Sequence, residues 1–286
     1  MAFCIPHIRL YLALLSAFFI GGCVTIPTPA ERYAIADRLA RSADMAKIDI
    51  LANGFALVAY ERMGSPGVPL NIYIEGDGFA WTSRRRQSDD PTPTDPVALR
   101  LAIQDPSANV VYLARPCQYI PKAERNRCQE HHWSTNRFSE PMIAAMDQAI
   151  DDLVARAATT GVNLIGYSGG GAVAALVAAR RQDVQTLRTV AGNLDLTAFT
   201  AYHNTTPLAG SLNPSDFASE LASLPQRHFI VEDDRIVPRK IVRKYLSRMP
   251  NQNCVGVTSV ENATHQSGWI ERWLTLMAQP VVCNAG

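Results

Sequence analysis

Ser168 stands in Gly166-Tyr-Ser-Gly-Gly170, a Gly-x-Ser-x-Gly run with an apolar stretch, Val162 to Ile165, before it. An Ala- and Val-rich stretch of helix length follows it and ends at Arg181. The first reads as a buried strand and the second as a helix, so Ser168 falls on the turn between them. In so tight a turn, side chains two residues to either side of the serine would collide. That gives Gly166 and Gly170 a steric reason. Ser168 itself is expected in strained backbone, its hydroxyl held out at the strand's C-terminal end. The N–H groups that open the helix then face whatever the hydroxyl attacks. The chemistry of such a serine is nucleophilic attack on an acyl group. The bare motif is common, and its strand-and-helix setting is what gives it weight.

A serine hydroxyl attacks only if a base takes its proton, a third group orients the base, and donors receive the developing oxyanion. His265 follows the last strand, in a loop that leads into the last helix, and is the preferred base. His131, His132 and His203 lie in loops that could also reach the site, whereas His228 opens a strand at the wrong end. Glu232-Asp233-Asp234 ends the penultimate strand and crowds the place for the acid. Asp234 ranks first and Asp233 second, and Asp195, after the preceding strand, is a further candidate. For the oxyanion, the Gly169 N–H comes from the serine turn. A second N–H, from Asp77, comes from Ile74-Glu-Gly-Asp-Gly78, where glycines let backbone approach a ligand closely. A carboxylate beside a developing anion is unfavourable, so the Asp77 side chain is expected to point away.

The elements that must carry these residues alternate. Strands are predicted at 55–60, 70–74, 110–114, 162–165, 187–191, 228–231 and 255–260. Helices are predicted at 30–47, 96–103, 139–158, 215–223, 239–248 and 267–277, with Asp95 capping the second and Ser139 the third. Residues 79–96 and 192–214 read as loops. Strands alternating with helices imply an α/β fold: a mostly parallel central sheet, helices on both faces, and ligands at the carboxyl ends of the strands. Three segments result: 1–22, 23–50 with a tether and an N-terminal helix, and one domain over 51–286.

The 286 residues are 47% hydrophobic and 19% charged, enough for a sizeable core. A net charge of +1 gives no electrostatic reason for a nucleic-acid partner. No Cys/His spacing suits a metal, and no cofactor is implied. Residues 1–22 have a weakly basic start and a short apolar run, the form of an export signal. Ile20-Gly-Gly-Cys23 resembles a bacterial lipobox, which would leave Cys23 as a lipidated N-terminus and anchor the chain to a membrane. Val24 after that cysteine is, by resemblance to known lipoproteins, the outer-membrane pattern, with the chain facing the periplasm. Of six cysteines, Cys4 leaves with the signal and Cys23 takes lipid. Cys117, Cys128, Cys254 and Cys283 remain, an even number in an exported chain, and read as two disulfides with three pairings open. Arg84-Arg85-Arg86 reads as a solvated basic patch first, and as a contact for anionic substrates or lipid headgroups second. Trp81, Tyr119, Trp133 and Tyr167 could line an acyl pocket or belong to the core.

Gly166-Tyr-Ser-Gly-Gly170, then Asp234-Arg-Ile-Val-Pro238, then His265, in that order, resemble the α/β-hydrolase superfamily over nearly all of residues 50–280. The resemblance implies Ser168 as nucleophile, Asp234 as acid and His265 as base. Asp-x-x-Val-Pro resembles the acid segment of many members, which favours Asp234 over Asp233. One departure is that Glu75-Gly76 stands where many members have His-Gly. More narrowly, Glu75-Gly-Asp-Gly78 with Trp81, Ser88-Asp-Asp-Pro-Thr-Pro93 and Arg115-Pro-Cys117 resembles a set of exported bacterial hydrolase-like proteins. In this fold Cys254, at the start of the last strand, and Cys283, beyond a helix running back, come to the same end of the sheet. That favours Cys254–Cys283, a closure contributing about 3–4 kcal/mol, with Cys117–Cys128 inside one loop. The expected activity is that of an envelope-anchored serine carboxylesterase on a small ester or acyl substrate. An acyltransferase, a peptidase or a non-catalytic binding protein of the same fold are the alternatives.

Overall fold

A computed structural model describes residues 26–83 and 85–284. The expected signal segment 1–22, the expected lipidation site Cys23 and Arg84 lie outside the described residues. Thr28 and Glu31 form a capping box that starts helix α1 (Pro29–Arg41). This helix is shorter than the expected 30–47, because Lys47 belongs to strand β1 (Ala46–Ala52), which hairpins into β2 (Phe55–Met63). The turn is Asn53-Gly54, both at positive φ (47° and 74°), the two-residue connection whose twist matches its strands. β3 (Leu70–Ile74) follows, then a short β4–β5 hairpin (Trp81–Ser83 and Arg86–Gln87) inside the stretch expected as loop.

Next come α2 (Val97–Ala102), β6 (Asn109–Leu113), α3 (Glu140–Ala157), β7 (Val162–Tyr167), α4 (Gly169–Ala178) and β8 (Val184–Val190). Asp95 does not cap α2: Pro96 takes the cap position, and the carboxylate accepts from Arg100 Nε at 2.5 Å. Ser139 precedes α3 without a side-chain cap bond. The expected loop after β8 contains α5 (Leu196–His203), which Asp195 caps. β9 (Gln226–Ile230), α6 (Lys240–Leu246), β10 (Val255–Ser259) and α7 (Trp273–Met277) complete the order. The helix expected at 215–223 is a 3-10 turn, Pro214–Phe217, and another such turn, Ile270–Arg272, leads into α7.

The sheet runs β1-β2-β6-β3-β7-β8-β9-β10, antiparallel at β1/β2 and β2/β6 and parallel from β6 onward. Residue alternation divides the core into two layers. Leu57, Ile72, Leu113 and Leu164 face α3, α4 and α6, while Val58, Tyr73, Tyr112 and Ile165 face α1, α2 and α7. Parallel pairing from β6 to β10 places the carboxyl ends of β6, β3, β7, β9 and β10 along one edge. Cys117–Cys128 closes the loop after β6 (Cα–Cα 5.8 Å). Cys254–Cys283 ties the residue before β10 to the C-terminal segment. Among the described residues, no helix is long and apolar enough to cross a membrane.

Candidate active site

β7 delivers Ser168 and α4 leaves from it. Ser168 adopts φ 52°, ψ −118°, a conformation costly for any residue with a Cβ. The chain around it leaves no room for side chains. A Cβ on Gly166 would lie 2.3 Å from the Gly170 carbonyl oxygen, and one on Gly170 would lie 2.2 Å from that of Ile74. Ser168 is half-buried, with its hydroxyl on the carboxyl edge of the sheet.

His265 Nε2 lies 3.0 Å from Ser168 Oγ, and His265 Nδ1 lies 2.8 Å from Asp234 Oδ2. Both His265 and Asp234 are buried. Burial opposes ionisation of Asp234. The bond to His265 and the Val237 and Ile236 N–H groups outweigh it and hold the carboxyl below its ordinary range. An ionised carboxylate only accepts, so Nδ1 carries the imidazole proton and the bare Nε2 faces the serine hydroxyl. A hydroxyl so placed can pass its proton to His265 while its oxygen attacks.

The alternatives go elsewhere. Asp233 is exposed. Asp195 accepts the Ala198 N–H and the Ser215 hydroxyl, each at 2.8 Å, and so serves the start of α5. His228 is wholly buried, where desolvation lowers its pKa to about 3, and its Nδ1 lies 2.9 Å from Thr189 Oγ1. His131 and His132 contact each other, with their Nε2 atoms 3.1 Å apart, and His203 Nε2 donates to the Ile236 carbonyl at 2.8 Å.

The Gly76–Asp77 loop lies directly over the serine turn: a Cβ on Gly76 would be 3.4 Å from the Ser168 Cβ. Among the described residues, neither the Asp77 nor the Gly169 N–H meets an acceptor. The Asp77 side chain does not point away as expected. A Cβ on Gly169 would lie 2.1 Å from Asp77 Oδ1, so the carboxylate covers the start of α4. Arg115 Nη1 donates to Oδ1 at 2.5 Å, and Arg137 Nε sits 3.1 Å from Oδ2 as an ion pair without hydrogen-bond alignment. Burial would raise the Asp77 pKa, but Arg137 and Arg115 outweigh it and lower it. Two buried guanidinium groups thus make the expected like-charge clash tolerable.

Glu75, the departure from His-Gly, lies behind this loop. It is 1% exposed, and Oε1 accepts the Gly76 N–H at 2.8 Å while Oε2 has no hydrogen-bond partner. Burial pushes its pKa up to about 7. Gln118 Nε2 donates to the Gly76 carbonyl at 3.0 Å, fastening the loop from the β6 side. On the histidine side, Tyr167 Oη and Trp269 Nε1 donate to the His265 carbonyl at 3.1 and 3.0 Å. Tyr167 therefore holds the His265 backbone and does not line an open pocket. Tyr119 and Trp133 are core residues, whereas Trp81, Arg85 and Arg86 are exposed. A cleft of about 460 Å³ opens between Asp233–Ile236 and Ala263–Gln266, along the flank of His265. Among the described residues, no group of three or more His, Cys, Asp or Glu side chains could hold a metal.

Sequence reasoning did not single out Arg137, Gln118 or Trp269. Arg115 entered only within the Arg115-Pro-Cys117 resemblance, with no role attached, and lies two residues beyond the strand that pairs with β3.

No protein-family model matches the chain, and no curated protein matches it. Solved structures do. An esterase of Pyrococcus furiosus superposes with a TM-score of 0.57 at 14% identity, covering 89% of this chain and 95% of that one. A bacterial membrane phospholipase A gives 0.55 at 15% identity, over 87% and 90% of the two chains. The acylaminoacyl peptidase of Pyrococcus horikoshii gives 0.59 at 10% identity, over 82% of this chain and 40% of that one. The chain has the α/β-hydrolase fold. In that fold the carboxyl edge of the sheet, where Ser168, His265 and Asp234 meet, is where ligands bind.

Proposed function

We propose that this α/β-hydrolase-fold chain is a serine hydrolase of carboxylic esters, tethered to the bacterial cell envelope through lipidated Cys23. The observation that carries the reading is the hydrogen-bonded chain from Ser168 Oγ to His265 to Asp234 on a strained, glycine-flanked turn. Ser168 Oγ attacks the ester carbonyl as His265 Nε2 takes its proton. The Gly169 and Asp77 N–H groups receive the oxyanion, and His265 returns the proton to the departing alkoxide. Water then attacks the acyl-serine by the same proton path and frees the acid. Asp234 keeps the imidazole in the tautomer that this needs. Only α5 and a 3-10 turn occupy the connection from β8 to β9, with no large lid domain, which favours short or open-bound acyl groups over long buried chains. Amide cleavage is the second reading, supported by the likeness to an acylaminoacyl peptidase.

The test is fluorophosphonate labelling and hydrolysis of p-nitrophenyl esters by the wild type and Ser168→Ala. Wild type should label and turn over, and the variant should do neither. Labelling that survives in Ser168→Ala would falsify the assignment of the nucleophile. A panel of ester, amide and thioester substrates ranks the two readings.

A further inference from the structure

The Asp77 carboxylate poses an electrostatic problem. It projects over Gly169, whose N–H is one of the two donors proposed for the oxyanion, and its own backbone supplies the other. The carboxylate is the partly exposed member of its cluster, with its side chain 28% accessible, and the two guanidinium groups beneath it are 5% and 8% accessible. Arg115 also donates to the Arg137 carbonyl, and Arg137 Nη1 donates to the Ser134 carbonyl at 3.0 Å. Both guanidinium groups stack on Phe138, at 4.8 and 5.2 Å from its ring centroid. These contacts fix the two cations before any substrate arrives. An anion developing near an unpaired carboxylate would be strongly disfavoured where solvent screening is weak. With two cations on one carboxylate, the cluster is net positive.

We propose that Arg137 and Arg115 are positioning residues for the reaction. They clamp the Asp77 carboxylate against α4, holding the Asp77 N–H toward the oxyanion, and reverse the sign of the local charge from repelling to attracting. The clamp rests on the serine-hydrolase reading of the same site. It gives Arg137 a role that neither Gly-x-Ser-x-Gly nor the acid–base pair requires. Its effect falls on the charge formed during reaction, so it acts on kcat and leaves KM nearly alone.

The test uses the purified full chain in detergent, with p-nitrophenyl acetate as substrate and the melting temperature of each variant measured beforehand. Arg137→Met should lower kcat roughly 10- to 100-fold, with KM changed less than about threefold. Arg137→Lys, which keeps the charge, should retain kcat within about tenfold. The deciding variant is Asp77→Asn/Arg137→Met. Removing the carboxylate restores a net positive cluster through Arg115, so kcat should rise at least about tenfold above that of Arg137→Met. A brace that acts only through packing would lose further contacts, and the double variant would be as slow or slower. That result overturns the clamp. Should Arg137→Met fail to fold, the double variant, which has no carboxylate stripped of one of its two cations, is compared with wild type directly. A kcat within about tenfold supports the clamp and a larger loss overturns it. Wild type that neither labels nor hydrolyses esters removes the underlying reading and the clamp with it, whereas reactive wild type with no recovery in the double variant removes the clamp alone.

Discussion

His265 Nδ1 lies 2.8 Å from Asp234 Oδ2, and the other oxygen of that carboxylate accepts the Ile236 and Val237 N–H groups at 2.7 and 2.9 Å. Asp234 is thus fixed by its own loop before it meets the histidine. Among the described residues, neither its two neighbours in the acidic run nor Asp195, whose oxygens accept the Ala198 N–H and the Ser215 hydroxyl, meets a histidine. Asp234→Asn would keep the shape but present an amide that can donate to Nδ1 and favour the wrong tautomer. A fall in kcat of about 10³- to 10⁴-fold is expected. Asp195→Ala, by contrast, should cost about 1–2 kcal/mol through the lost cap of α5 and leave kcat within about threefold. Steady-state kinetics and thermal unfolding of the two variants separate the roles, and equal kinetic losses would reject this division.

Two donors converge on the His265 carbonyl, Tyr167 Oη and Trp269 Nε1. One comes from the strand that carries Ser168 and the other from the segment after His265, so His265 is referenced to Ser168 through backbone. Tyr167→Phe removes one donor and leaves the ring packing in place. It should lower kcat about three- to tenfold at a stability cost of about 1 kcal/mol. Tyr167→Phe/Trp269→Phe should lose more than the sum of the singles, because the carbonyl is then buried without any donor. Additive losses would show that the two bonds act on the His265 carbonyl independently of each other.

The parallel α/β order, the serine turn and the approach of His265 and the acidic run to Ser168 were legible in the chain because each rests on local pattern: an apolar run, a glycine spacing, a residue just past a strand. The preference for Asp234 within that run rested on the resemblance of Asp-x-x-Val-Pro. β1 was not, although Asn53-Gly54 marked its hairpin, because the helical composition of 30–47 masked the start of the strand. The same limit explains α5, whose only local signal was Asp195 ahead of Leu196. The orientation of the Asp77 side chain was misread for a different reason. Its charge partners, Arg115 and Arg137, lie 38 and 60 residues along the chain, and only the pairing of β3 with β6 and the course of the following loop bring them in. Local electrostatics said the carboxylate should leave, and tertiary electrostatics holds it.

The loop after β6 carries non-glycine residues at positive φ on both sides of Gln118, namely Cys117 at 77° and Tyr119 at 59°. Such backbone persists where other contacts over-determine it, and here the Cys117–Cys128 disulfide and the Gln118–Gly76 bond do so. Cys117→Ser/Cys128→Ser should destabilise the chain by about 3 kcal/mol and lower kcat as the Gly76–Asp77 loop loses its fastening. Gln118→Ala, with the disulfide intact, should reproduce the loss in kcat at a smaller stability cost of about 1–2 kcal/mol. A disulfide-free chain of unchanged kcat would sever the loop from the site.

Glu75 gives the chain a pH dependence opposite in sign to that of Asp234. Its carboxyl is wholly enclosed, and burial raises its pKa from an ordinary 4.5 to about 7. The folded state therefore keeps a proton that the unfolded chain releases earlier. Between pH 4.5 and 7 the unfolded state binds fewer protons at this residue, so its contribution favours folding most below 4.5 and is lost as pH rises through 7. The contribution at stake is on the order of 3 kcal/mol. Glu75→Gln keeps an oxygen for the Gly76 N–H and cannot ionise, so it should be relatively insensitive over this window. The melting temperature of the variant minus that of wild type should be near its minimum at pH 4.5, widen up to about pH 7, and stay level above it. Taking the difference cancels the carboxylates whose pKa values are lowered, Asp234 and Asp77 among them, since they titrate alike in both proteins. A difference that holds constant from pH 4.5 to 8 would mean that Glu75 enters the fold ionised.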